Sequence, residues 1–317
     1  MSNVTVSSFQ YKDTPQLIEL WNRSLTIDGI NLDIFERKVL LDPNFDGAGL
    51  QIAKTESGQL VGFIYGVIFR VPLEGAGLME DLGWITAMGV DPNFRHQGIG
   101  LKLWTAVESF FIARKRKIIA IATYAPNYFV PGIDINAYPD AVKFFDKLGF
   151  KQTARPLSMD AYIWQFTIPE KIIETEKRLL QEGIRIQKYD RKYLIPYFEF
   201  MRKDMPGNWI RVARDNLSLL TYGRFKEEQI IIAINGEDEI IGYCQYEEEH
   251  LGPFGVSDRF QGKGIGQVIL ARTVEQMRNR GHHNAWFLWT DDKAAVVYSK
   301  VGFKESRRYV VMKKELS

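Results

Sequence analysis

The segment "GVDPNFRHQGIG" at residues 89–100 carries the strongest fold signal in the chain, because it recurs as "GVSDRFQGKGIG" at residues 255–266. In both copies a Gly-Val pair ends an apolar run, and a glycine-rich turn leads into apolar residues at helical spacing. The two Gly-Val pairs are 166 residues apart, and so are the glycines that precede each helical stretch. Matching landmarks at one offset indicate a tandem duplication of one fold.

The similarity between the two halves extends past these turns. Each half closes its last helical stretch on a Gly-Phe pair, in "AVKFFDKLGF" (residues 141–150) and in "AAVVYSKVGF" (residues 294–303). These pairs are only 153 residues apart, so the first half holds 13 additional residues after its glycine-rich turn. The surplus falls in "YAPNYFVPGIDINAYP" (residues 124–139), whose Pro, Gly and Asn content is typical of a long loop.

The composition is that of a globular protein with two domains. The chain has 317 residues, 45% of them hydrophobic and 25% charged, which supplies ordinary apolar cores. The net charge of +2 offers no basic surface, so neither nucleic acid nor an acidic membrane is expected as a partner. A single cysteine, Cys244, excludes an intrachain disulfide, and no metal site is expected. The start lacks a signal pattern, and no run reaches the roughly 20 apolar residues of a membrane span; we therefore expect a cytoplasmic protein.

Strand-like and helix-like segments alternate in each half, which predicts a mixed α/β fold. Between the halves, "PEKIIETEKRLLQEG" (residues 169–183) begins with Pro, ends with Gly, and carries acidic residues early and basic residues later, as a helix does. We therefore predict a first unit at residues 1–168, a linker helix at 169–182 and a second unit at 183–317.

The glycine-rich turns are suited to bind a diphosphate. The first turn of a helix has backbone N–H groups without internal partners, and the helix dipole adds positive potential. Neither turn fits the dinucleotide-binding G-x-G-x-x-G pattern, because Leu103 and Ile269 stand where the last glycine belongs. Neither contains the G-x-x-x-x-G-K-[ST] phosphate loop.

Both turns match [Q/R]-x-x-G-x-G, in "RHQGIG" and in "QGKGIG", and each half therefore resembles the GNAT superfamily of N-acetyltransferases. The resemblance covers about residues 1–168 and 183–317, and the tandem layout is similar to that of mycothiol synthase and related two-unit acetyltransferases. It implies, in each unit, a twisted, mostly antiparallel sheet flanked by helices, of α+β type. It also implies acetyl-CoA as the cosubstrate, with its pyrophosphate on the glycine-rich loop.

The resemblance assigns coenzyme contacts to the loop and to the end of the strand before it, where a backbone N–H polarises the thioester. In the first unit these residues are Met88, Gly89, Val90, Arg95, His96, Gln97, Gly98, Ile99 and Gly100. In the second unit they are Phe254, Gly255, Val256, Gln261, Gly262, Lys263, Gly264, Ile265 and Gly266. Pro253, which has no N–H, is expected to mark a bulge that separates the two central strands.

The resemblance places a tyrosine as general acid in the last helix, and only the second unit has one. Tyr298 of the second unit corresponds to Phe145 of the first, and a phenyl ring cannot donate a proton. We therefore predict that the second unit catalyses, while the first binds, regulates or shapes the substrate site. A packing role for Tyr298 as a core aromatic is the alternative.

The general base and the acceptor contacts are less sharply indicated. Glu249 and His250 precede the glycine-rich loop on its strand and are candidate bases, acting directly or through water; a solvated hairpin tip is the alternative. Trp209, Trp289 and Asp291 are candidate acceptor contacts, because carboxylates and aromatics suit a cationic or sugar-like amine. Core packing by the tryptophans and helix capping by Asp291 are the alternatives.

These features predict transfer of an acetyl group from acetyl-CoA to a primary amine of a small molecule, by direct attack in a ternary complex. A non-catalytic acetyl-CoA sensor is one alternative. A tRNA-dependent aminoacyl transferase is another, although the near-neutral charge argues against a tRNA-binding face. The acceptor, the acyl-chain length and the oligomeric state are left open.

Overall fold

A computed structural model describes residues 4–316 of the chain and divides it into two compact units. The first unit comprises the residues up to 73, residues 77–156 and the residues from 309 onward. The second comprises residues 74–76 and 157–308. Within residues 4–316, no helix has the length and apolar character needed to cross a membrane.

The first unit begins the chain and alternates strands with helices. Its strands are β1 (Val4–Ser8), β2 (Leu50–Thr55), β3 (Leu60–Val67), β4 (Leu82–Val90), β5 (Ile118–Ile121), β6 (Ile133–Asp134) and β7 (Lys151–Ala154). Its helices are α1 (Thr14–Ser24), α2 (Leu32–Phe35), α3 (Ile99–Ala113) and α4 (Pro139–Lys147).

The second unit repeats this order. Its strands are β8 (Leu157–Tyr162), β9 (Arg185–Lys188), β10 (Ile230–Ile234), β11 (Ile240–Glu247), β12 (His250–Val256) and β13 (Asn284–Thr290). Its helices are α5 (Glu170–Gln181), α6 (Leu194–Asp204), α7 (Trp209–Thr221), α8 (Ile265–Asn279) and α9 (Asp292–Ser299). The last strand, β14 (Lys304–Glu315), contributes its first part to the second unit and its remainder to the first.

The sheet of each unit is antiparallel except for one central parallel pair. In the first unit β1, β2, β3 and β4 pair antiparallel in that order, and β4 pairs with β5 in parallel. In the second unit β9, β10, β11 and β12 pair antiparallel, and β12 pairs with β13 in parallel. The mixed α/β class and the mostly antiparallel sheets predicted for both units are thereby confirmed.

The registers of the two sheets show which residues are equivalent. Phe63 pairs with Gly89 in the β3–β4 ladder, and Tyr243 pairs with Gly255 in the β11–β12 ladder. Each ladder then shifts its register a few residues further along, after Tyr65 in the first unit and after Cys244 in the second. Phe63 and Tyr243 therefore occupy the same position of a duplicated sheet.

The long helix after each glycine-rich loop packs directly onto its sheet through glycines. A Cβ atom at Gly66 would lie 2.5 Å from Val107 Cγ2 of α3, and one at Gly242 would lie 2.9 Å from Ile269 Cδ1 of α8. Val107 and Ile269 are completely buried. Burying such a side chain stabilises the fold by about 1.5–3 kcal/mol. These contacts fix α3 and α8 on their sheets, and so fix the helix starts that follow the glycine-rich loops.

The compact units do not follow the chain-order boundary expected near residues 169–182. Strand β8, which follows the first unit's β7, pairs with β13, and the later part of β14 pairs with β5 and β7. The reason is alternating burial: Leu157, Met159 and Ala161 of β8 enter the second core, whereas Val310 and Met312 of β14 enter the first. The predicted linker is α5, whose Ile172 and Leu179 also lie in the second core.

This strand exchange predicts reciprocal effects of two core truncations. Val310→Ala, near the end of the chain, should cost about 2 kcal/mol and speed amide hydrogen exchange in β5 and β6 of the first unit. Met159→Ala, the matched variant in β8, should speed exchange in β13 and α8 of the second unit. Hydrogen exchange followed by mass spectrometry checks both. If either variant instead speeds amide hydrogen exchange in the other unit, the assignment of β8 and β14 to the two sheets is contradicted.

Candidate active site

The glycine-rich loop of the second unit has a backbone that requires glycine. Gly262 and Gly264 adopt φ values of 80° and 89°, in the left-handed region, and α8 begins at the next residue, Ile265. A Cβ at Gly264 would lie 2.7 Å from Thr175 Cγ2, and one at Gly266 would lie 3.0 Å from Phe254 Cζ. The glycines therefore let the chain turn tightly into α8, whose first N–H groups have no partners inside the helix and are suited to bind an anion.

Helix α5 and the loop's own polar groups hold this turn in place. Arg178 Nη2 donates a hydrogen bond of 2.6 Å to the Lys263 carbonyl oxygen, and Gln261 Nε2 donates one of 2.6 Å to Asp258 Oδ1. The Lys263 ammonium lies 5.9 Å from the centre of the Phe260 ring and adds a positive charge beside the turn. The loop is thus organised before any ligand binds.

The first unit's loop has the same backbone shape with a different residue at its tip. His96 and Gly98 have φ values of 60° and 79°, so His96 occupies the left-handed position that Gly262 holds in the second unit. Arg95 Nε donates to the Val90 carbonyl oxygen at 3.3 Å, and Gln97 Nε2 to that of Asn93 at 3.4 Å. No atom lies within 4 Å of a Cβ built on Gly98. Both halves therefore present an open loop to an anion.

The two central strands of each unit separate next to the loop. In the first unit β4 and β5 pair only from Leu82 to Ile85, and in the second β12 and β13 pair only at His250 and Trp286. Beyond these points the edges of β4 and β12 face a gap. In the second unit the register shift falls opposite Gly252 and Pro253, where a bulge was expected. The gap leads from the helix start toward the last helix of the unit.

Tyr298 stands beside this gap in the second unit. Its ring centre lies 4.2 Å from that of Phe287 and 5.6 Å from that of Phe254, the residue that also touches Gly266. Its side chain is buried, and burial, followed by the nearby Cys244 and Asp291, raises its pKa well above the ordinary value of 10.0. The phenol therefore remains protonated at neutral pH and can donate a hydrogen bond.

Asp291 fixes the start of the helix that carries Tyr298. Its Oδ1 accepts a hydrogen bond of 2.8 Å from the Ala294 N–H, which is the capping role foreseen as an alternative to acceptor binding. Trp289, just before it, is 44% exposed. Among the three candidate acceptor residues, Trp209 is the one that reaches the gap, because its Cζ3 would lie 3.2 Å from a Cβ on Gly255.

The two candidate bases lie at the opposite end of β12. The centre of the His250 ring lies 4.7 Å from that of Trp286, with the two rings tilted by 56°. Glu249 Oε1 accepts hydrogen bonds from the backbone N–H and the Nδ2 of Asn284, at 3.1 and 3.2 Å. Gly255 lies five positions after His250 along the strand, a distance of roughly 16 Å. The structure therefore brings together the loop, Phe254, Tyr298 and Trp209, and leaves Glu249 as a partner of β13.

Phe145 of the first unit lines a small apolar cavity in place of a proton donor. The cavity holds about 90 Å³ and opens between β4 and β5, at Ala87 and Ala122. Phe129, from the long loop of residues 124–139, forms another wall.

The long loop is anchored by a buried carboxylate. The Tyr124 hydroxyl donates to Asp42 at 3.0 Å, and Asn127 Nδ2 donates to Asp42 Oδ2 at 2.7 Å. Lys38 Nζ donates to the Tyr128 carbonyl oxygen at 2.7 Å, and burial, with Arg37 nearby, lowers the pKa of Lys38 to about 8. The additional residues of the first unit are therefore a fixed wall of the cavity.

Sequence reasoning missed the residues that cover the second unit's gap. A Cβ on Gly255 would lie 2.4 Å from Met205 Sδ, and Tyr243 lies opposite Gly255 in the sheet. An alignment of "VGFIYG" (residues 61–66) with "IGYCQY" (residues 241–246) could have found Tyr243 as the counterpart of Phe63. Within residues 4–316, no group of three or more His, Cys, Asp or Glu side chains is arranged to hold a metal ion.

Two family profiles match this sequence. One, described as an acetyltransferase (GNAT) family, matches residues 14–150, and the other, described as an acetyltransferase (GNAT) domain, matches residues 215–314. No protein of curated function matches the sequence significantly.

Solved structures share the fold at low sequence identity. A GCN5-related glucosamine N-acetyltransferase region of a fungal multi-domain GH3 β-N-acetylglucosaminidase is 18% identical with a TM-score of 0.81; the alignment covers 99% of this chain and 38% of that one. A GCN5-related N-acetyltransferase from Sphaerobacter thermophilus is 15% identical with a TM-score of 0.71, covering 98% and 95%. A tandem GNAT protein from the clavulanic acid biosynthesis pathway is 13% identical with a TM-score of 0.61, covering 99% and 98%.

The chain thus spans little more than a third of the fungal protein and nearly the full length of the other two. The duplicated sheets, the two glycine-rich loops and the two matched profiles agree with one another. The chain belongs to the GNAT superfamily of acetyltransferases and carries two GNAT domains in tandem.

Proposed function

We propose that the second unit transfers an acetyl group from acetyl-CoA to a primary amine of a small molecule, by direct attack in a ternary complex. The observation that carries the proposal is the placement of Tyr298, a protonated phenol beside the gap, where the first unit has Phe145. The residues around the gap fit the coenzyme, because the glycine-rich loop leads into the first N–H groups of α8, which have no partners inside the helix.

In this proposal, backbone groups of the second unit bind and activate acetyl-CoA. The N–H groups of residues 262–266 hold the pyrophosphate, with Lys263 adding charge. A backbone N–H of residues 254–256, on the strand edge that faces the gap, polarises the thioester carbonyl. The acetyl-CoA supplies an acetyl carbon activated by its thioester bond, which breaks as the new amide bond forms.

Tyr298 supplies the proton that the departing thiolate needs. Its ring lies 5.6 Å from that of Phe254 beside the gap, which would place the hydroxyl within reach of a thioester bound there. A raised pKa suits this task, since the phenol is fully protonated when the thiolate forms.

The attacking amine must lose a proton, since an alkyl ammonium has a pKa of about 10. We assign this step to His250 or Glu249. Because both precede the gap along β12, waters along the strand edge would relay the proton. Trp209 at the gap, with Trp289 and Asp291 after β13, would receive the acceptor. We propose an amino sugar as the acceptor, in keeping with the glucosamine named for the fungal structure of similar fold.

For the first unit we propose coenzyme binding without transfer. Its loop has the same left-handed backbone as the second, whereas Phe145 offers no proton. The same observation favours the second candidate function, an acetyl-CoA sensor, if neither unit turns over. A tRNA-dependent aminoacyl transferase has no comparable support, because the net charge is only +2.

A carboxylate in each loop tests where the coenzyme binds. Gly264→Glu should abolish coenzyme binding to the second unit, since the charge repels the pyrophosphate. Gly98→Glu, the matched variant, should remove only a first-unit site. Gly98 and Gly264 have φ values of 79° and 89°, so both variants carry a similar backbone strain. Calorimetric titration with acetyl-CoA gives the stoichiometry of each variant. Unchanged binding in Gly264→Glu would overturn the assignment.

Replacing the phenol tests the chemistry. Tyr298→Phe should lower kcat by about 10²-fold or more while the Kd for acetyl-CoA stays the same, because only the proton donor is lost. Since its pKa is raised, Tyr298 should cause no loss of kcat up to pH 10 in the parent protein. Thiol release from acetyl-CoA, with a panel of small amines, measures both.

The matched control is Phe145→Tyr in the first unit, combined with Tyr298→Phe; it should not restore turnover. Restoration would assign catalysis to the first unit. Acetyl-CoA binding with no thiol release for any amine would favour the sensor instead.

A further inference from the structure

Three phenol hydroxyls in the second unit are buried without any hydrogen-bond partner in the described part of the chain, and two of them lie side by side. These two belong to Tyr197 of α6 and Tyr243 of β11, whose side chains are 0% exposed; the third belongs to Tyr246. The rings of Tyr197 and Tyr243 meet edge to face, with centres 5.7 Å apart. An unpaired buried hydroxyl is destabilising, so each such group in a folded protein calls for an explanation.

The duplication shows that the fold does not need these hydroxyls. By sheet register, Tyr243 is equivalent to Phe63, a completely buried phenyl ring. Helices α1 and α6 have the same length and place before their strands, and this makes Tyr197 equivalent to Leu17, which is also buried. The first unit therefore packs apolar side chains at both positions. At these two positions only the second unit has a hydroxyl, as it has at Tyr298 where the first unit has Phe145.

The two phenols lie behind the cover of the gap. Tyr243 pairs with Gly255 and shares its face of the sheet, and Met205 Sδ would lie 2.4 Å from a Cβ on Gly255. The Trp209 ring centre lies 6.3 Å from that of Tyr243. Met205 and Trp209 are only half-buried, and Pro206 and Gly207 between them are exposed. The short connector between α6 and α7, with Trp209, therefore covers Gly255 and Tyr243 on this face of the sheet.

A carboxylate lies next to the connector between α6 and α7. Asp204 ends α6, immediately before Met205, and its Oδ1 accepts a hydrogen bond of 2.6 Å from Ser257 Oγ at the end of β12. The equivalent residues in the first unit are Ser24 and Asp91, and Asp91 forms an ion pair with Arg23. In the second unit the carboxylate of Asp204 lies next to the connector, which suits an ammonium group approaching the gap.

We propose that the hydroxyls of Tyr243 and Tyr197 form the floor of the acceptor pocket, which opens when the connector of residues 205–208 and Trp209 move aside, and that this pocket takes an amine bearing hydroxyl groups. A hydroxylated amine supplies the partners that both phenols lack, whereas a purely aliphatic amine would leave them unpaired. Sites built to hydrogen-bond a substrate hydroxyl discriminate strongly against analogues without it. The inference rests on the proposed acetyl transfer by the second unit.

Binding of two amines to the intact protein in the presence of coenzyme A tests the inference. The probes are glucosamine and cyclohexylamine, which share a six-membered ring and one amine, and calorimetric titration gives each Kd. Glucosamine should bind the parent protein more tightly. Tyr243→Phe should weaken glucosamine at least ten-fold, leave cyclohexylamine unchanged, and raise the Tm because an unpaired hydroxyl is removed.

The matched control is Tyr65→Phe in the first unit. Tyr65 also has a buried hydroxyl without a partner among the described residues, so this variant should raise the Tm in the same way. It should leave the Kd of glucosamine unchanged. If Tyr243→Phe does not fold, Tyr197→Phe replaces it with the same expected outcome.

Equal glucosamine affinity in the parent and Tyr243→Phe would overturn the inference, as would equal affinity of the parent for the two amines, or binding of neither. Thiol release from acetyl-CoA is measured on the same samples. Loss of glucosamine binding in Tyr243→Phe, without thiol release in the parent protein, would uphold the pocket while refuting acetyl transfer.

Discussion

The separation of two parallel central strands is the constraint on which the rest of each unit depends. The strands pair at one end, over Leu82–Ile85 with β5 in the first unit and at His250 in the second, and then part. The parting leaves one edge of β4 or β12 without a partner beside the start of the long helix. Backbone N–H groups of a strand edge and of a helix start therefore face the same gap, and this combination gives the fold its use for an acyl thioester with a pyrophosphate.

Because the chain holds two copies of one fold, features that both copies share can be assigned to the fold, and features found in one copy are candidates for the chemistry. Both units keep left-handed residues in the loop, glycines under the long helix and the register of the central ladder. They differ in hydroxyls: Tyr298 and Tyr243 stand where the first unit has Phe145 and Phe63. A phenyl ring packs equally well at both positions, so selection for stability alone does not account for the phenols. The differences between the copies therefore support the proposal that the second unit carries the chemistry.

The repeat, the loops and the contrast between Tyr298 and Phe145 could be predicted because each depends on local spacing. Turns and amphipathic helices depend on residues close together in the sequence. The constant offset between the closing Gly-Phe pairs then aligns Tyr298 with Phe145. The exchange of β8 and β14 could not be predicted, since strand pairing depends on partners more than a hundred residues away. The hydrogen bond from Asn284 to Glu249 and the approach of Met205 to Gly255 likewise depend on tertiary packing, which local spacing does not reveal.

A crystal structure of the protein with acetyl-CoA tests the central claim most directly, namely that the second unit holds the reacting thioester. The account predicts the pyrophosphate on the N–H groups of residues 262–266 and the thioester sulfur within hydrogen-bonding distance of the Tyr298 hydroxyl. Coenzyme density confined to the first unit, with its sulfur against Phe145 and no ligand beside Tyr298, would contradict it.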